Sequence, residues 1–184
     1  MALARILCVI VLLLEARGLS LSVSDRKWWI LVFYTQLSNL VTTVSALLLV
    51  VLGQPMWVTT LRYLSTCLLA MTFFVTTCVL IPMGGDPKKL LWSGNGLYHH
   101  VLCPIISSMS YFFAEQHSGM IWLPVAVILA YGLVMLYLNG IRKVDGPYLF
   151  FRVHNQTTMA TVLWMVVLIT VMSGISGGIW AIAR

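Results

Sequence analysis

Five stretches of this 184-residue chain stay apolar for longer than a water-soluble fold can use. They cover residues 28–52, 61–82, 120–138 and 158–182, with 96–113 shorter and more polar. A hydrocarbon core about 30 Å thick needs roughly 20 apolar residues in a helix. Within it only helices or closed barrels satisfy their backbone groups, and these runs are too long for barrel strands. The chain is 60% hydrophobic and 9% charged, whereas a soluble domain carries about 25% charged residues. The expected fold is therefore an all-α integral membrane protein.

Residues 2–22 form a sixth candidate span. Arg5 ahead of the apolar run 6–14 also resembles a secretory signal peptide. No small-x-small cleavage site follows, and Arg17 stands where one belongs. The segment reads as a retained helix, with Glu15 and Arg17 near its end reaching the interface. The expectation is six transmembrane helices with short loops in a single bundle domain, 1–184. Connections after the first, third and fifth helices carry Arg17, Arg26, Lys27, Lys88, Lys89, Arg142, Lys143 and Arg152. The opposite face carries Arg5, Arg62 and Arg184. The excess places the first face in the cytoplasm and both termini outside, in a bacterial inner membrane. Basic residues also recruit anionic lipid. The net charge of +6 comes with no basic stripe of interleaved aromatics, so nucleic acid is not an expected partner.

The four cysteines, Cys8, Cys67, Cys78 and Cys103, form no CxxC pair. Neither a metal site nor a disulfide framework is expected, and no cofactor motif is present. Gly174 and Gly178, four residues apart, give the last helix a small face suited to close packing, within the chain or in a homo-oligomer.

Chemistry is expected from polar residues inside spans, where they are expensive. Thr35, Ser38, Asn39 and Thr42 share one face of the second helix. Asn95, Tyr98, His99 and His100 open the fourth, and Thr76, Thr77 and Cys78 end the third. The loop after the fifth helix holds Asp145, Tyr148, Arg152 and His154. Span order brings these groups to similar depth on the basic-loop side. Any single Thr is more simply explained by a bond to its own i−4 carbonyl, and Asn39 by a clamp between helices. Neighbouring helical residues point about 100° apart, so His99 and His100 cannot both face one site. A hydroxyl, an imidazole and polar supports at interfacial depth are the parts of a nucleophile–base site.

The segments Phe33-Tyr34-Thr35-Gln36-Leu37-Ser38-Asn39-Leu40, Leu97-Tyr98-His99-His100-Val101-Leu102-Cys103-Pro104 and Gly146-Pro147-Tyr148-Leu149-Phe150-Phe151-Arg152-Val153 resemble signatures of small bacterial six-helix membrane proteins. More distantly, that group resembles the androgen-induced (FAR-type) membrane hydrolases. The resemblance implies cleavage of fatty-acid esters by an intramembrane threonine, here Thr35, and a histidine. The bacterial pattern, with histidine four residues before proline, matches His100. The hydrolases' own spacing falls nearer Gly96. Thr35 is then the nucleophile and His100 the base. Asn39 or Tyr148 orients the imidazole or steadies the oxyanion, and Arg152 or Arg142 holds a substrate carboxylate. Ser38, Tyr98, His99 and Asp145 are expected as supporting or substrate-binding groups. The alternative is a non-catalytic transporter or lipid-binding protein using the same pocket. The near absence of polar residues in 46–52 and 121–130 argues against a path through the membrane.

Overall fold

A computed structural model describes residues 1–183; Arg184 and the side chains of Arg26 and Trp28 lie outside the described part. The long helices are α1 (Ala2–Arg26), α2 (Tyr34–Leu52), α3 (Met56–Phe74), α6 (Cys103–Ala114), α7 (Trp122–Gly140) and α8 (Thr158–Ile182). Two short helices, α4 (Pro87–Leu91) and α5 (Gly94–Gly96), lie between α3 and α6. No strand occurs among the described residues. Five helices are long and apolar enough to cross a membrane: Ala2–Asp25, Tyr34–Leu52, Met56–Leu80, Trp122–Gly140 and Thr158–Ile182. The expected span 96–113 is a helical run interrupted in type, with α5 and a π-helical segment, Leu97–Leu102, leading into α6.

Two expected boundaries move, with consequences for the site. Lys27 takes φ 50, a left-handed conformation that ends α1. A 3₁₀ segment, Lys27–Val32, follows, so the second span begins at Tyr34 rather than Trp28. Thr35 therefore sits in the first turn of α2, not two turns deep. At the other end Gly53 takes φ 78 and returns its N–H to the Leu49 carbonyl, and Pro55 caps α3. That tight turn starts α3 at Met56, five residues before the expected 61. Arg62 is consequently a helix-interior residue rather than a charge at the helix end.

The chain forms two compact units, residues 1–119 and 120–182. In the first, α1 packs on α2 and α6, and α3 packs on α2 and α6, closing a four-helix ring. The face α1 turns inward is Ala4, Cys8, Val11, Glu15, Gly18 and Ser22, a four–three repeat of mostly small or polar residues. The outward faces carry large apolar side chains such as Leu13, Val51, Met56 and Phe113. Polar groups inside and apolar groups outside is the arrangement that hydrocarbon surroundings demand.

Arg62 is fully buried. Its Nε donates to both Glu115 carboxylate oxygens (3.1 and 3.0 Å), and Nη2 donates to Oε1 (2.8 Å) and to Ser107 Oγ (3.1 Å). Nη1 reaches Ser45 Oγ at 3.4 Å, and Ser110 Oγ donates to Glu115 at 2.6 Å. One guanidinium thus joins α2, α3, α6 and the turn after α6. Around it the Ser118 hydroxyl meets the Thr59 hydroxyl and lies within 3.1 Å of the Met56 carbonyl, to which it donates, and Gly119 lies against the Tyr63 ring.

In the second unit α7 and α8 pair through a loop folded on itself. Asn139 closes it: Nδ2 donates to Val144 O (3.0 Å), and Oδ1 accepts from the Val153 N–H (2.8 Å). Tyr148 stacks on Phe150 with centroids 5.2 Å apart, and Phe151 packs edge-on to Phe150 and Tyr131. Gly174 and Gly178 have nothing within 4 Å of where a Cβ would stand.

Removing one partner of a buried pair strands the other charge, at a cost of roughly 3–5 kcal/mol, whereas replacing both with apolar groups is often neutral. Arg62→Met or Glu115→Leu alone should therefore strongly lower the melting temperature in detergent, and the double substitution should recover most of the loss. Additive losses in the double variant would contradict this.

Candidate functional site

The basic-loop end of the first unit is shaped by two π-helical segments, Val75–Leu80 at the end of α3 and Leu97–Leu102. The second has a local cause. Pro104 lacks an N–H, and in an α-helix its ring would meet the carbonyl four residues back, that of His100. The chain widens its turn instead, and the Cys103 N–H bonds the Tyr98 carbonyl five residues back. Such bulges recur at functional sites because they re-aim side chains without breaking the helix.

His100 is half-buried and held from one side. Its Nδ1 lies 2.8 Å from the Leu90 carbonyl. A carbonyl only accepts, so Nδ1 carries the proton and Nε2 is left with its lone pair. Gly96 makes the approach possible, since a Cβ there would collide with the same Leu90 carbonyl. Asp86 caps α4 through the Lys88 N–H (2.9 Å), with Pro87 in its first turn, and so fixes the short helix that presents Leu90.

His99 points the other way, into the bundle, and is 1% exposed. Its Nδ1 lies 3.1 Å from Gln36 Nε2 on α2, and its Nε2 lies 3.6 Å from Glu15 Oε2 on α1. Gly18, one turn beyond Glu15, leaves the space the ring occupies: a Cβ there would overlap His99 Nε2 and Cδ2. Asn95 Nδ2 donates to Ser22 Oγ (3.0 Å), the next member of the α1 stripe.

On α2 the Thr35 carbonyl accepts from Ser38 Oγ (2.9 Å) and from Asn39 Nδ2 (2.6 Å). Ser38 Oγ also lies 2.8 Å from Thr72 Oγ1 on α3. The amide nitrogen of Asn39 is thus engaged with the backbone at Thr35. Thr42, Thr43, Thr66, Thr76 and Thr77 bond their own i−4 carbonyls, the ordinary role of a membrane-helix threonine. Tyr98 is half-buried beside Gly18.

Tyr148, Arg152 and Asp145 belong to the second unit. Tyr148 is buried in the aromatic cluster, Arg152 Nε donates to the Gly146 carbonyl (3.2 Å), and Asp145 is exposed. The same bond that shapes the loop occupies Arg152 Nε. Arg142 is exposed at φ 57 on the turn after α7.

Sequence reasoning missed Glu15, Gln36, Arg62 and Glu115 as members of a site. Glu15 was expected at an interface, but α1 runs on to Arg26, which leaves it fully buried in mid-helix. The four–three repeat from Ala4 to Ser22 is the signal that pointed inward. Among the described residues no group of three or more His, Cys, Asp or Glu side chains could hold a metal ion. No protein-family model, no curated protein and no solved structure matches the chain.

In a helix interior, Gly→Ala ordinarily stabilises by about 1 kcal/mol. Gly18→Ala should do the reverse, because the new methyl displaces His99. A lowered melting temperature, with Gly174→Ala neutral or stabilising as the control, is the expected outcome.

Proposed function

We propose that the chain is a six-span membrane protein of a bacterial inner membrane that hydrolyses fatty-acyl esters, with Thr35 as nucleophile and His100 as general base. Both termini lie outside and the basic loops face the cytoplasm. The chemistry is that of the FAR-type hydrolases its motifs resemble. The observation that carries the reading is the 3.1 Å contact between Gln36 and His99. It brings the first turn of α2, which carries Thr35, against the segment that carries His100, whose own imidazole is held by the Leu90 carbonyl. The fixed tautomer of His100 supplies the rest: an imidazole whose Nδ1–H is anchored offers Nε2 as acceptor, as a general base must.

In the reaction the Thr35 hydroxyl adds to the ester carbonyl as Nε2 of His100 takes its proton. The tetrahedral adduct expels the alcohol, which leaves with that proton. Water, deprotonated by the same nitrogen, then releases the fatty acid and restores Thr35. An apolar groove of about 440 Å³ on α3 and α6 supports an acyl substrate. It begins at Pro104, four residues past His100, and runs by Phe73, Met109 and Phe112. Open to the exterior along the helices, it suits a chain entering sideways from lipid.

A transport reading also has a specific support. The far half of the first unit, expected to be apolar, holds the Arg62–Glu115 pair with Ser45, Ser107 and Ser110. Polar groups therefore run through the ring from the His99 end to the Glu115 end.

Purified protein in lipid should hydrolyse a long-chain acyl ester, with both Thr35→Ala and His100→Ala lowering kcat/KM by at least ~10²-fold, a typical range for a lost general base or its partner. Because the two act as a unit, the double variant should be little worse than either single one. Wild-type-like hydrolysis by the variants rules out the assignment. Ester-independent solute uptake into vesicles, abolished by Glu115→Leu/Arg62→Met, favours transport.

A further inference from the structure

Glu15 and His99 take no part in the proposed ester chemistry, yet both are ionisable groups buried in the first unit. Both side chains are essentially inaccessible (0 and 1%) and 3.6 Å apart. Gln36 Oε1, Asn39 Oδ1 and His99 Nε2 are buried without a hydrogen-bond partner, and the Glu15 carboxyl is met only by the weak thiol donor of Cys103. Arg62, the buried Lys or Arg side chain among the described residues, is committed to Glu115, Ser107 and Ser45. A bare carboxylate so placed costs several kcal/mol. A carboxylate and an imidazole that hold one added proton between them carry no net charge, whichever of the two holds it.

We propose that Glu15 and His99 form a buried proton-binding site, with one proton held by the pair and the Gln36 amide setting which ring nitrogen is free to take it. As placed, the Gln36 amide N–H donates to Nδ1 of His99. That leaves the ring neutral, with its own N–H on Nε2 facing Glu15, and puts the added proton on the carboxyl. Transfer to the ring needs Nε2 to be the unprotonated nitrogen. With the Gln36 amide turned over, Oε1 accepts from Nδ1–H, Nε2 offers its lone pair to the Glu15 acid, and the proton passes directly between them. The amide orientation therefore sets the tautomer, and the tautomer decides whether the proton can move.

The surroundings fit a site that fills from one end. Ser22, bonded to the half-buried Asn95, continues the α1 stripe toward the basic-loop face, and Gly18 leaves no side chain between Ser22 and His99. The other titratable groups acting on the pair are His100, next along the helix, and Cys103, one turn on, whose thiol faces Glu15. On α2 the Tyr34 hydroxyl is turned away to the Leu68 carbonyl (3.4 Å), and Arg17 on α1 is exposed.

The chain has two glutamates, Glu15 and Glu115, so selective ¹³C labelling of glutamate with ¹⁵N labelling of histidine reads the site directly. Solid-state NMR of the full chain in lipid vesicles at neutral pH should show one ionised glutamate, Glu115, and one pair carrying a single added proton. The pair appears either as a Glu15 acid beside a neutral imidazole or as a carboxylate beside an imidazolium. Dicyclohexylcarbodiimide, which adds to the protonated carboxyl, should label Glu15 and leave Glu115 unmodified. Glu15→Gln should abolish that labelling. Gln36→Met, which removes the amide, should collapse the distinct Nδ1 and Nε2 shifts of His99. An ionised Glu15 beside a neutral His99 overturns the proposal. So does a spectrum in which both groups titrate independently, as exposed side chains do. The NMR reading needs no variant, so a substitution that fails to fold leaves the test intact.

Discussion

Arg62 has no exposed surface, and its charge must be met by whatever the helices bring to it. Glu115 supplies two oxygens, Ser107 its hydroxyl and its carbonyl, and Ser45 its hydroxyl. These partners lie on α2, α6 and the turn beyond it, so satisfying one guanidinium fixes where three elements stand relative to α3. Apolar side chains give helices little reason to associate when the solvent is itself apolar. A buried ion pair discriminates where oil-like packing does not, because a wrong arrangement strands a charge at a cost of several kcal/mol. The small residues facing it, Cys8 and Ala4 on α1 and Ala46 on α2, let the ring close tightly around that end.

The opposite end of the ring is organised by backbone irregularity rather than by charge. Pro104 forces a wide turn, and Gly96 admits the Leu90 carbonyl. Together they send two adjacent histidines to two environments: His99 into the bundle against Gln36 and Glu15, and His100 toward Leu90 at the rim. A regular helix also separates neighbours by about 100°. What the π segment adds is a histidine held by a main-chain carbonyl, with one nitrogen left available.

The long helices were legible in the sequence because their signal is simply apolar length. Thr158–Ile182 has the expected bounds to the residue. Boundaries set by turn chemistry were less legible. Nothing in the apolar pattern says that Lys27 turns left-handed, or that Pro55 caps a helix five residues before hydropathy marks it. The burial of Arg62 follows from that second error, since a charge placed at the outer end of a span has no reason to be sought in a core. On α2, Ser38, Asn39 and Thr42 are buried and Thr35 is half-buried, and the partners of Ser38 and Asn39 lie on α3 and on the backbone of Thr35. Long-range pairs such as Arg62–Glu115 and Glu15–His99 join residues far apart in the chain, and a single sequence gives spacing only along one helix at a time.

The central proposal is that Thr35 acts as a nucleophile. The most direct measurement is labelling in native membranes with a lipophilic fluorophosphonate, followed by mass mapping of the modified residue. The account predicts modification at Thr35, lost in His100→Ala while the protein keeps its wild-type melting temperature. An unmodified Thr35 in folded wild-type protein, or equal labelling with and without His100, would contradict it.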